Sequence, residues 1–384
     1  MPHILTCQRR CDYTHPGSKL RLRFAAVTVP APHSIERLLV IRRDNIGDLV
    51  CTTPLLAALR RRFPAAWIGA LVNSYNAPVL EGNADLSEVV TYRKLKHLSE
   101  RESALAALSE RLASLWRLRR MGLDCVIIAT PDFNRRTARL ARRLAPKTLL
   151  GFSDGSAGAR CLDLSEPLAK VEGWHEVERV FALGAHLGVV GEIPPLRVVP
   201  QAQEVARAAA SMDFAGPKIA VHISVRRPAQ RWPAERFAAL IARLHADTGA
   251  VPVLLWSPGP TAHPQHPGDD DKAQEVRTRL EGKTPLVAYR TGRLRELVGA
   301  LAACDFAICG DGGAMHLAAA LRKPLVCLFG DSPPERWRPW GVAHRLLRPP
   351  SRDLADLGVD DVARSFMELR QQCAAQPQAR SSDA

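Results

Sequence analysis

The chain has 384 residues, of which 46% are hydrophobic and 24% charged. That suits a soluble globular protein of two domains and excludes a disordered or fibrous one. Fifty-three Lys and Arg against 39 Asp and Glu give a net charge of +14, which predicts an anionic partner: nucleic acid, a membrane surface or an acidic substrate. No apolar run reaches transmembrane length, so any membrane contact is expected to be peripheral. Only four tyrosines and no aromatic-rich basic groove argue against single-stranded nucleic acid. The nine cysteines include no C-x-x-C pair and several sit in apolar runs, which predicts reduced, buried thiols and a cytoplasmic setting.

Residues 1–34 read as a basic extension without the long apolar core of a secretory signal. Arg37–Arg42 is a compact strand, followed by the loop Arg43-Asp-Asn-Ile-Gly-Asp48 and a helix starting near Leu49. Strands are predicted at Trp67–Val72, Glu88–Tyr92, Cys125–Ala129 and Thr148–Phe152. Helices fall at Leu98–Met121, Asn134–Leu144 and His175–Leu187. Alternating strands and helices imply a parallel sheet covered on both faces. Prolines at 194 and 195 break the pattern, so 35–192 is read as one Rossmann-like domain and 193–201 as a linker. A second domain, 202–350, has strands at Ile219–Ile223, Val251–Trp256, Leu286–Ala288, Phe306–Cys309 and Leu325–Phe329. Its helices are Glu235–Asp247, Asp271–Glu281 and Leu294–Ala303. Residues 351–375 are expected to form a C-terminal helix packing back on the first domain, and 376–384 a polar tail. Two tandem Rossmann-like halves bind ligands at the carboxyl ends of their strands, facing a central cleft.

Four stretches carry chemistry. Strand, glycine turn and helix follow one another across Phe306–Leu321, and Asp311-Gly312-Gly313-Ala314-Met315-His316 forms the turn and first helical residues. Bare amides at a helix N-terminus are a phosphate site, and His316 adds a donor; the plainer reading is an ordinary strand-to-helix connection. Asp48 follows Asn45-Ile-Gly47 at a strand-to-helix junction, where a carboxylate either takes a proton from an attacking hydroxyl or caps the helix. Ser224, Arg226, Arg227, Gln230 and Arg231 leave the first strand of the second half; guanidinium forks there suit a diphosphate, or form a solvated basic loop. The segment Ser257–Lys272 holds His263, His266 and Asp269-Asp270-Asp271. Its prolines deny the histidines a helical register, so we read it as a loop leading into a capped helix and predict no metal site.

The pieces Ile41-x5-Gly47-Asp48, Gln230-Arg-Trp232-Pro-Ala-Glu-Arg-Phe237, Asp311-Gly-Gly313-Ala-Met-His316, Leu328-Phe-Gly330 and Trp337-x-Pro-Trp-Gly341 occur in that order. Together they resemble the heptosyltransferases of glycosyltransferase family 9, over roughly Arg37 to Gly341. The resemblance implies a GT-B architecture and inverting, metal-independent transfer from ADP-heptose to a lipopolysaccharide inner-core acceptor, an anionic glycolipid at the inner membrane. No cofactor is implied beyond the donor, and oligomeric state is not. Asp48 would match the general base, with Asn45, Gly47, Arg135 and Arg136 on the acceptor side. Asp311, Gly312, Gly313 and His316 would match the diphosphate loop, and one of Asp269–Asp271, assigned here as Asp270, the carboxylate that holds the ribose. Two positions depart from the family: Gln230 stands where many members carry a phosphate-binding lysine, and Gly312 where threonine is common. Arg226, Arg227 or Arg231 would then replace the missing charge. The alternatives are a transferase or epimerase of this fold using another nucleotide sugar, or a basic nucleic-acid-associated protein without catalysis.

Overall fold

The computed structural model describes residues 35–92, 104–227, 230–260 and 268–375. The chain divides into two compact units between Val199 and Pro200.

The first unit is built on β1 (Arg37–Arg42), β2 (Trp67–Asn73), β3 (Glu88–Tyr92), β4 (Cys125–Ile128), β5 (Thr148–Ser153) and β6 (Leu164–Pro167). They form one sheet in the order β3-β2-β1-β4-β5-β6, and every pairing is parallel. Its helices are α1 (Ile46–Arg62), α2 (Ala104–Arg120), α3 (Arg135–Arg143) and α4 (Glu176–Leu183). Near-continuous apolar strands such as Arg37-Leu-Leu-Val-Ile-Arg42 suit a sheet buried on both sides. Leu118 of α2 and Ala138, Leu140 and Ala141 of α3 complete the core over Leu39, Ile41, Val126 and Ile128. α1 tolerates Pro54 in its interior because the carbonyl of Val50, deprived of its usual N–H, accepts instead from Thr53 Oγ1 at 2.7 Å. The same Thr53 oxygen accepts from the amide of Arg197 at 2.9 Å. With Leu196 and Val198 buried, the segment expected to be a linker therefore lies packed along the first unit.

The second unit contains α5 (Ala202–Ser211), β7 (Ile219–His222), α6 (Ala234–Thr248), β8 (Val253–Trp256), α7 (Asp270–Leu280), β9 (Val287–Arg290), α8 (Leu294–Ala303), β10 (Phe306–Gly310), α9 (Gly313–Ala320), β11 (Leu325–Leu328), α10 (Pro334–Trp337), β12 (His344–Leu347) and α11 (Val359–Ala375). Its sheet runs β12-β11-β10-β7-β8-β9, again parallel throughout. The C-terminal helix, α11, packs within the second unit. Val362, Phe366 and Leu369 of α11 join the core of the second unit with Ile219, Leu254 and Ile308, and Phe366 meets Phe306 edge-on at 5.4 Å. Trp232 is likewise a core residue: its ring packs on Phe237 and its Nε1 donates to Leu357 O at 3.0 Å, tying the start of α6 to the approach to α11. Among the described cysteines all seven are free thiols, five of them buried, as the scattered spacing predicts.

Because α11 is part of a core rather than an appendage, Phe366→Ala is expected to cost about 3–5 kcal/mol in denaturant unfolding. A loss within a few tenths of a kcal/mol would show that the helix is dispensable.

Candidate functional site

Each sheet reverses direction once. In the first unit β1, β2 and β3 step outward, and the chain then returns to lay β4 on the other side of β1. In the second unit β10 returns in the same way beside β7. At such a reversal the loops leaving the two neighbouring strands run opposite ways and open a crevice at their carboxyl ends, where α/β proteins bind ligands. The candidate residues lie in the segments that follow these strands: Asn45, Gly47 and Asp48 after β1, Arg135 and Arg136 after β4, Ser224–Arg231 after β7, and Asp311–His316 after β10.

In the first unit the crevice is organised by a residue that the sequence analysis passed over. Arg42 ends β1 and is fully buried. Its Nη2 donates to Asp48 Oδ1 and to Glu176 Oε1, both at 2.8 Å, its Nε lies 3.1 Å from Asp44 Oδ2, and its Nη1 donates to Ala129 O at the end of β4. Burial works against the charge, but the carboxylates of Glu176, Asp48 and Asp44 overcome it and hold the guanidinium above its usual pKa. The visible signal was an arginine closing an otherwise apolar buried strand.

Asp48 sits three residues deeper than expected: α1 begins at Ile46, so Asn45 is the N-cap and Asp48 the third helical residue. Its Oδ2 accepts from the Asn45 amide at 3.0 Å and from Asn45 Nδ2 at 2.9 Å. The capping role and the crevice position thus coincide in one carboxylate. Burial pushes its pKa up, yet the Arg42 charge and the Asn45 hydrogen bonds outweigh burial and leave it below the usual value. Asp44 differs. Burial dominates there and raises its pKa against the pull of Arg42, and its Oδ2 accepts no hydrogen bond of good geometry. The loop itself is clamped: Asn73 Nδ2, Asn76 Nδ2 and the Tyr75 hydroxyl all donate to Asp44 O. Arg135 and Arg136 are exposed in the first turn of α3, where the helix dipole disfavours cations. An anion at that turn would relieve the conflict.

In the second unit, α9 opens directly after Gly312, an extended residue at whose Cβ position nothing lies within 4 Å. The threonine common at this position would therefore fit, and glycine leaves open space at the helix N-terminus. Gln230, buried where a lysine was expected, donates from Nε2 to Asp311 Oδ2 at 2.9 Å and to Ser332 Oγ at 2.6 Å. It ties the glycine turn to the loop after β11 but brings no charge. Arg226 and Arg227 are exposed, and Arg227 Nη1 reaches Ser332 Oγ at 3.4 Å. His316 is buried on the first turn of α9, edge-on to Trp337 at 6.1 Å.

The carboxylates before α7 divide their roles in a way the sequence did not reveal. Asp270 is committed: it accepts from Trp256 Nε1, Gly259 N and the Arg290 guanidinium, and the Arg290 bond leads the effects that hold its pKa well below the usual range. Asp269 is the buried one. Neither of its oxygens takes a hydrogen bond of good geometry, and Arg231 Nη1 stands 3.7 Å away. Burial raises its pKa, although Ser224, Lys272 and Arg231 pull the other way. It is set in place by a close backbone approach: a Cβ on Gly268 would meet Gly259 O at 2.2 Å, so only glycine fits, and the Asp269 amide donates to Ser257 O at 3.0 Å. Arg231 Nη2, on the guanidinium beside it, and His222 Nε2, at the end of β7, also make no hydrogen bond of good geometry among the described residues. Four buried polar atoms without such bonds, in the segments at the ends of β7 and β8, fit a polar ligand that would complete them. His263 and His266 lie outside the described residues; among the described residues no group of three or more His, Cys, Asp or Glu is placed to hold a metal.

Two open parallel sheets, each with charged groups at its reversal point and one with a glycine turn feeding a helix, form an α/β architecture that places its ligand sites at the strand ends. The family model described as glycosyltransferase family 9 (heptosyltransferase) matches residues 111–362, well over half of the chain. The chain belongs to this family and is a glycosyltransferase. It is 26% identical over 323 residues to lipopolysaccharide heptosyltransferase 2 of Escherichia coli K12, covering 81% of this chain and 88% of that protein. To lipopolysaccharide heptosyltransferase 3 of Escherichia coli it is 25% identical over 309 residues, covering 77% and 83%. The solved structure of E. coli ADP-heptose lps heptosyltransferase II shares the fold, with a TM-score of 0.70, 23% identity and coverage of 88% of this chain and 100% of that one. The GT-B architecture expected from the sequence is therefore the fold of this protein.

Burial, with a smaller contribution from Lys272, lowers the pKa of His222 to about 4. An unfolded histidine titrates near 6.5, so between these values the unfolded chain binds the extra proton and stability falls as pH drops, by about 3 kcal/mol in all. His222→Gln should flatten that limb of the stability profile; an unchanged profile would contradict the buried neutral imidazole.

Proposed function

We propose that the protein is an inverting, metal-independent heptosyltransferase that moves a heptose from ADP-heptose to an anionic lipopolysaccharide inner-core acceptor, working in the cytoplasm peripheral to the inner membrane. The names of its relatives supply donor and acceptor; the observation that carries the chemistry is the Asp48 carboxylate, held ionised by Arg42 and Asn45 at the first reversal point.

In this reading the acceptor hydroxyl gives its proton to Asp48, its oxygen forms the new bond to the anomeric carbon from the face opposite the diphosphate, and the sugar–phosphate bond breaks with its electron pair leaving on ADP. A carboxylate below its usual pKa is a weak base, which suits a proton that becomes acidic only as the new bond forms. Charge growing on the departing diphosphate is met by the amides opening α9, by His316 and by Arg226, Arg227 and Arg231. These arginines replace the charge that Gln230 does not bring. Asp269 rather than Asp270 takes the ribose hydroxyls, since Asp270 is already saturated and the Asp269 oxygens accept no hydrogen bond of good geometry among the described residues. Asn45 and Gly47 border the acceptor, and Arg135 and Arg136 contact its anionic groups. Asp44 is the second reading for the base, favoured by its raised pKa and its Oδ2 without a hydrogen bond.

Asp48→Asn should lower kcat for heptose transfer by about 10²–10⁴-fold while calorimetric ADP affinity stays unchanged. Near-normal turnover in that variant, with the loss appearing in Asp44→Asn instead, would transfer the role to Asp44. Asp269→Asn should weaken ADP binding about tenfold or more, the worth of a charge-assisted hydrogen bond, and Asp270→Asn should weaken it less. The reverse order would return the ribose to Asp270. UDP and GDP should bind more weakly than ADP in the same titration.

A further inference from the structure

One helix carries a surface that neither the core nor the proposed chemistry uses. On α2, Leu108, Leu112 and Trp116 are exposed by 37%, 57% and 60%. Their spacing of four residues places them on one ridge of the helix, while Leu118 on the opposite side is fully buried in the core. The helix is thus apolar on two faces, which an ordinary solvent-facing helix is not. Around the ridge the charge is of one sign. The guanidinium of Arg120 lies over the Trp116 ring at 4.5 Å, and Arg119, exposed beside it, donates to Arg143 O at 2.7 Å and joins α2 to α3. The two helices hold nine arginines and one glutamate between them. Four of those arginines outside the proposed acceptor contacts, 119, 120, 139 and 143, are exposed and appear in no described ion pair with a carboxylate.

We propose that the α2–α3 face docks on an anionic lipid bilayer, with Leu112 and Trp116 entering the interface and the surrounding arginines paired with lipid phosphates. Three features select a lipid surface over other occupants. Leucine and tryptophan on a ridge flanked by arginine is the pattern of helices that lie in the headgroup region, where a tryptophan ring sits half in water and half in hydrocarbon. Nucleic acid would engage the arginines but leave two leucines without a partner. A second copy would set one arginine-rich face against another. The bilayer alone satisfies ridge and rim together, and anionic headgroups attract each Lys or Arg near the surface by about 1 kcal/mol. Among the described residues no helix is long and apolar enough to cross a membrane, so this contact lies on the surface. The inference deepens the proposed function by giving an enzyme with a lipid-anchored acceptor a means of staying at the acceptor's membrane, but its test does not depend on transfer activity.

The test is flotation of the full chain with vesicles of phosphatidylethanolamine and phosphatidylglycerol, and with vesicles of phosphatidylcholine alone. The wild type should float with the anionic vesicles and not with the neutral ones, and added salt should weaken binding without abolishing it. Leu112→Ala with Trp116→Ala should weaken partitioning about tenfold or more, since together they remove on the order of 100 Å² of apolar contact. Arg120→Glu with Arg139→Glu should weaken it comparably and reduce the salt dependence. Both double variants should melt and bind ADP as the wild type does, because the four side chains are exposed and belong to neither half-site; with that control a loss of flotation cannot be ascribed to unfolding. Equal flotation of wild type and variants, or no preference for anionic lipid, would overturn the inference. So would retention on duplex DNA without vesicle binding, or a dimer that Leu112→Ala with Trp116→Ala dissociates. If ADP fails to bind while the vesicles still capture the protein, the proposed donor falls and the docking surface stands.

Discussion

A single buried arginine decides what the first unit can do. A guanidinium removed from water is tolerable only when carboxylates and carbonyls surround it, and Arg42 has three of the former and the Ala129 carbonyl as well. The requirement runs in both directions. Arg42 keeps Asp48 ionised, and Asp48, Glu176 and Asp44 keep Arg42 charged, so β1, the α1 cap and the start of α4 are locked into one electrostatic unit. Removing either partner of such a group leaves the other buried and unpaired, which typically costs 3–5 kcal/mol. Structure and chemistry therefore share the same atoms: the carboxylate that caps α1 is also the one offered at the crevice.

The second unit handles charge in the opposite manner. Instead of a closed cluster it leaves polar atoms unfinished: both oxygens of Asp269, Arg231 Nη2 and His222 Nε2 are buried without a hydrogen bond of good geometry among the described residues. Each such group costs about 1–3 kcal/mol, a penalty that a bound polar ligand would lift. The two family departures fall beside this cluster. Gln230 keeps the loops connected through Asp311 and Ser332 while supplying no cation, and Gly312 leaves room at the α9 amides that a side chain would otherwise occupy. In the proposed reading the cation supply moves to Arg226, Arg227 and Arg231, which are longer, forked donors than the lysine they would replace.

Most of the architecture was legible because buried parallel strands are short apolar runs ended by glycine or polar residues. β1 and β3 were bounded to the residue, and most other strands within two. What escaped had weak periodicity or depended on distant partners. β6 reads Leu-Ser-Glu-Pro and β12 His-Arg-Leu-Leu, edge strands too polar to stand out, and α5 was hidden behind the proline-rich segment before it. The C-terminal helix was legible as an amphipathic run, but such a face does not say which residues it covers; here Phe366 and Leu369 meet the core of the second unit. At the site, motif spacing located the loops but not the division of labour within them. That Asp270 pairs with Arg290 and Asp269 does not, or that Arg42 reaches Glu176 across 134 positions, is set by tertiary packing that no local pattern encodes.

The central claim is that the reaction's base is a carboxylate whose pKa Arg42 has lowered. The acid limb of kcat/KM for heptose transfer tests it most directly, because Asp48 and its neighbour Asp44 are shifted in opposite directions. If Asp48 is the base, the profile stays flat on acidification to about pH 4.5, short of the ordinary aspartate value near 3.9, for as long as the protein remains folded. A limb with its midpoint above that ordinary value, seen in a protein still folded, would contradict the assignment and point to Asp44.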